Sequence, residues 1–133
     1  MNQISHLSII CLLVVCFLAV GCDGTPDNVG LVEGTVMLND APLPGAMIEF
    51  VPQASEGRTS YATADAEGHY VMIYYGETEG AELGVNTVRV TLPDPGDDSD
   101  KERVVIPAKY NTQSEETFEV LQGENTHDIK IEM

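Results

Sequence analysis

The chain has 133 residues and a formal net charge of −16, with six basic and twenty-two acidic residues. That length gives one domain with a single core once any leader is set aside. A surface this acidic repels nucleic-acid phosphates and anionic headgroups, which excludes nucleic-acid binding. What remains is a solvated acidic surface open to cations or basic partners.

The first element is the uninterrupted apolar run from Ile9 to Val20. As a helix it rises only about 18 Å, against a bilayer core about 30 Å thick. It suits the central region of a secretory signal better than a span, although residues 1–8 carry no Lys or Arg. The run ends in Ala19-Val20-Gly21-Cys22, where small residues at 19 and 21 fit a narrow cleavage site. Cys11 and Cys16 follow the bulky Ile10 and Val15 and offer no such site.

Ala19-Val20-Gly21-Cys22 resembles the lipobox of bacterial lipoproteins, with Ala19 where that family more often has Leu. The resemblance implies a diacylglycerol on the Cys22 thiol and cleavage between Gly21 and Cys22. The new amino terminus is then usually acylated. Cysteine arithmetic agrees. Of the three cysteines, only Cys22 survives cleavage, no intrachain disulfide is possible, and lipidation accounts for the remaining thiol. Two or more acyl chains anchor a protein stably where one does not. The alternatives are ordinary signal cleavage with a free Cys22, or an uncleaved anchor. Asp23 stands where some enteric-type bacteria carry an inner-membrane retention signal, and the choice of membrane stays open. The expected organisation is a signal peptide over 1–21, a lipidated terminus and polar tether over 22–29, and a domain over 30–133.

From Gly30 onward, strand patterns recur and no helix-length periodic segment appears. In "LVEGTVML", Val32, Val36 and Leu38 share one face. In "AMIEFVP", Ile48 and Phe50 point in and Glu49 out. In "NTVRVTL", Val88, Val90 and Leu92 alternate with Thr87, Arg89 and Thr91. In "THDIKIEM", Ile129 and Ile131 alternate with Asp128, Lys130 and Glu132. This period of two is that of a strand with one buried face. "RTSYATA", "HYVMIYY" and "ETFEVL" bring the count to about seven. Asn39-Asp40 closes the first strand, and Pro44-Gly45 supplies a turn. "DAEG" (65–68) and "QGEN" (122–125) predict tight hairpins. The expectation is an all-β, antiparallel, seven-stranded β-sandwich behind a cleaved signal segment.

"GTVMLNDAPLPGAMIEFVP" and "TADAEGHYVM" resemble the opening and the central hairpin of carboxypeptidase regulatory-like domains. "IPAKYN" followed by a strand and "GEN" resembles the ending of small bacterial lipoproteins with that domain. The resemblance covers about residues 30–133 and implies a transthyretin-like (prealbumin-type) sandwich. Within it, Gly45 and Gly68 are expected at positive φ. Tyr70 is expected with its ring on the core and its hydroxyl on a partner.

The candidate sites are few. Asp94, Asp97, Asp98 and Asp100 in "PDPGDDSDKE" offer oxygens to Ca²⁺. Their spacing departs from the helix-loop-helix calcium template, and the run reads first as a solvated loop. His69 and His127 lack the closely spaced partners of a zinc site, and His127 keeps register with Ile129 and Ile131. No Gly-x-Ser-x-Gly elbow is present. Some transthyretin-like proteins are hydrolases with a Tyr-Arg-Gly-Ser tail, whereas this chain reads "HDIKIEM" there. No enzyme and no cofactor are expected. In "HYVMIYYGETEG", Tyr74 and Tyr75 face opposite sides of a strand, so that at least one is exposed to stack on a sugar or anchor a protein. The resulting expectation is a lipid-anchored, exported, non-catalytic module on the extracytoplasmic side of the cell envelope. It is held to a membrane through its amino-terminal lipid, and its other partner is a protein or a glycan. Carbohydrate binding through exposed tyrosines is the alternative, and a transthyretin-like hydrolase the second.

Overall fold

A computed structural model describes residues 24–94 and 104–133. The described chain is all-β, with one short 3₁₀ turn at Ala108–Tyr110. Its longest strand, β1 (Val29–Leu38), is the spine of one sheet. Along one flank of β1 lie three short antiparallel strands: β2 (Ala41–Pro42), β5 (His69–Val71) and β8 (Ala81–Glu82). Along the other flank lie β11 (Glu124–Thr126) and β12 (Ile129–Ile131), both parallel to β1. The second sheet is antiparallel throughout. It runs β10 (Thr117–Val120), β9 (Gly84–Thr91), β3 (Met47–Pro52), β4 (Ser60–Thr63), β6 (Ile73–Tyr75), β7 (Thr78–Glu79).

The alternation predicts the inward faces well. Val32 and Val36 from β1 and Ile129 and Ile131 from β12 share one core cluster with Ile48, Phe50, Val88 and Val90 of the other sheet. All eight are essentially buried. Two sheets that contribute inward side chains to one cluster form a sandwich-like arrangement. Asn39 and Asp40 both have positive φ, 47° and 66°, which gives the two-residue turn joining β1 to β2. Gly45 and Gly68 both have φ of 77°, as expected at those turns.

Connectivity departs from the expectation in three places. "HYVMIYY" is two strands: β5 pairs with β1 in the first sheet and β6 with β4 in the second. Met72, fully buried between them, is the corner. Its N–H donates to the Val32 carbonyl (2.9 Å), and its carbonyl accepts from the Gly80 N–H (2.6 Å). "DAEG" and "QGEN" turn the chain tightly, but each carries it from one sheet to the other and so is not a hairpin. The pairing is therefore not wholly antiparallel, and the described residues form twelve strand segments, several only two or three residues long. Periodicity reports which face a residue takes, and it is blind to which sheet receives the next strand.

Candidate functional site

Cys22 and the Gly21–Cys22 junction lie outside the described residues, as do Asp97, Asp98 and Asp100. Asp94 is exposed just after β9. It helps line a cavity of about 270 Å³ with Leu92, Val104 and Ile106. Among the described residues, no group of three or more His, Cys, Asp or Glu is placed to hold a metal ion. His69 lies 3.6 Å from Glu33 and 3.9 Å from Asp65, all half-exposed. His127 lies 57 residues from Tyr70 in sequence but against it in space, and far along the chain from His69.

The first cluster is structural and sits on the core side of β1. Gly34 stands between Val32 and Val36 on the inward face, directly paired with Tyr70 of β5. Without a side chain there, the Tyr70 ring crosses β1 and its hydroxyl donates to the His127 carbonyl at the break between β11 and β12. A Cβ at Gly34 would overlap that carbonyl and press on the Tyr70 hydroxyl. At the same break, Asp128 turns back to β1. Its Oδ1 accepts from the Thr35 N–H (3.0 Å) and the Thr35 hydroxyl (3.1 Å). The half-buried His127 ring keeps the side of Ile129 and Ile131 and lies 4.5 Å from the Phe118 ring and 6.1 Å from that of Phe50. Its Nε2 meets Glu116 Oε1 at 3.1 Å. Burial, followed by the Asp128 and Glu116 charges, pushes the Tyr70 phenol well above its ordinary pKa of 10.0. The cluster clamps the parallel flank onto β1, and Tyr70 takes the structural role expected of it.

The second cluster is on the surface. Strand register places Arg89, Glu49, Tyr61, Ile73 and Glu79 side by side across five strands of the second sheet. Tyr61 is 50% exposed and Tyr75 is 66% exposed. The Arg58 guanidinium lies 4.9 Å from the Tyr75 ring centroid and 6.0 Å from that of Tyr74, within cation–π range. The Arg58 backbone N–H donates to Glu82 Oε2 at 2.8 Å. Tyr74 is half-buried, and its hydroxyl accepts from Asn28 at 3.3 Å. The two tyrosines singled out in the sequence therefore take different roles. Tyr74 is tied to the segment before β1, and Tyr75 is open. Tyr61 and Arg58 complete the patch and were not singled out. Tyr61 is the large residue in "SYAT", set between the inward Ser60 and Ala62, and that inversion of size was the available signal.

Among the described residues, no helix is long and apolar enough to cross a membrane. Comparison with protein-family models, curated proteins and solved structures finds no match.

Proposed function

We propose that the chain is a lipid-anchored, exported, non-catalytic β-sandwich module with an interaction or structural role in the cell envelope. Its fold, on this reading, is the transthyretin-like sandwich of carboxypeptidase regulatory-like domains. The observation that carries the proposal is Ala19-Val20-Gly21-Cys22 at the end of a twelve-residue apolar run, the only place where a cysteine follows small residues. The short tether supports it. Val29 is already core, its N–H donates to the Pro26 carbonyl at 3.0 Å, and the Asn28 carbonyl accepts from Leu83 at 2.9 Å. Six residues separate Cys22 from Val29, a reach of roughly 25 Å at full extension. An acylated Cys22 would hold the sandwich against the bilayer rather than on a long leash. Cys22→Ser should leave the full-length precursor and abolish acyl-chain labelling. Normal processing and labelling of that variant would refute the anchor.

A second reading is favoured by the pairing of Tyr61 with Ile73 beside the open Tyr75. Exposed tyrosine rings on a rigid sheet are suited to stacking on sugar faces. The wild type should then bind members of a glycan array, and Tyr61→Ala or Tyr75→Ala should lose that binding with thermal stability unchanged. An array with no wild-type signal would end the carbohydrate reading.

A further inference from the structure

The outermost strand of the second sheet, β10, has β9 on one side and, among the described residues, an open edge on the other. The Val88 N–H donates to the Glu116 carbonyl at 2.8 Å, and β10 pairs Phe118 with Asn86 and Val120 with Gly84. In an antiparallel ladder, alternate residues direct their N–H and C=O to the same neighbour. Glu116, Phe118 and Val120 therefore face β9, while Thr117 and Glu119 direct theirs outward. Both are exposed, and among the described residues no backbone group pairs with them.

On the β9 side the Ser114 hydroxyl donates to the Val88 carbonyl and accepts from the Glu116 N–H, completing that ladder. The outward edge is closed at one end, where the Asn125 carboxamide imitates a partner strand. Its Oδ1 accepts from the Leu121 N–H (2.9 Å) and its Nδ2 donates to the Leu121 carbonyl (2.7 Å). Ahead of this closure Thr117 and Glu119 remain open, with exposed Leu121 next along the edge and exposed Val85 across the pair from Glu119. Residues 114–126 carry Glu115, Glu116, Glu119 and Glu124 and no Lys or Arg.

We propose that the free edge of β10 is a strand-addition site that takes an extended, lysine- or arginine-bearing segment of a partner protein. Main-chain bonds to Thr117 and Glu119 supply the ladder, and the partner's basic side chains reach Glu119 on the outward face, which also carries Val85 and Leu121. A second copy of this chain is the poorer occupant. It would set the same glutamates against one another on molecules that each carry −16.

The test uses the purified full chain in detergent and an alternating lysine–valine octapeptide. The peptide should slow amide exchange at Thr117 and Glu119 by at least about tenfold. The same peptide N-methylated at alternate residues should not. Thr117→Pro, which removes an N–H facing solvent and not the ladder, should abolish the protection. Glu119→Lys, which leaves the backbone intact, should weaken binding by about tenfold or more and make it less sensitive to salt. Unchanged exchange at these two amides, or equal binding of the N-methylated peptide, would overturn the proposal. Concentration-dependent protection of the same amides without peptide would overturn its choice of partner.

Discussion

Tyr70 is the residue on which the packing of β1 turns. Its ring fills the space left by Gly34, and its hydroxyl supplies the His127 carbonyl with a donor where the strand is broken. The phenol has a raised pKa because burial and then the Asp128 and Glu116 carboxylates disfavour its anion. The folded protein thus holds this proton more tightly than the unfolded chain. Above about pH 10 the unfolded chain binds fewer protons, so the stability due to this group is present below that pH and lost as pH rises. Denaturant unfolding between about pH 8 and about pH 11 should show a steep alkaline loss. Tyr70→Phe should cost about 1–3 kcal/mol at neutral pH and flatten that loss. A variant as stable as wild type, with the same alkaline slope, would remove the clamp. The sequence revealed the ring-in, hydroxyl-bonded role of Tyr70. It could not reveal the acceptor, because His127 joins only when the chain's far end pairs with β1.

At the scale of elements, the sandwich depends on one ten-residue strand flanked by five short ones. The alternation in β1 was legible because a pleated strand with one buried face imposes a period of two. Gly34 interrupts that alternation on the inward face, and its reason lies in the partner strands. The Tyr70 ring and the His127 carbonyl converge on the space a Cβ would take. Gly34→Ala should therefore destabilise the fold by more than about 2 kcal/mol, since the atom in the way is backbone and cannot rotate aside. A shift in the denaturant midpoint with unchanged slope would register this, and an unshifted midpoint would mean the flank can slide. The switch of sheets at Met72 was not legible. His69-Tyr70-Val71-Met72-Ile73 reads as one run, because Met72 is buried in the corner itself and leaves no polar punctuation. The outward Tyr61 was hidden for a related reason. The inward positions beside it are the small Ser60 and Ala62, so size and burial run opposite to habit.

For the whole molecule, the inward and outward faces followed from pattern, whereas the sheet assignment depended on which edge each segment meets. The surface is acidic, its exposed aromatic patch lies on the second sheet, and the open backbone edge lies at the far strand of that same sheet. On the proposed reading, a short tether holds all of this near a membrane. The interaction surfaces would then meet envelope partners at a fixed, small height. That account stands on Cys22 more than on any other residue, and the most direct test is the intact mass of the native protein extracted from membranes. The account predicts a chain beginning at Cys22 and carrying a diacylglycerol and an amino-terminal acyl group. A chain that keeps residues 1–21, or one that begins at an unmodified Cys22, would contradict it.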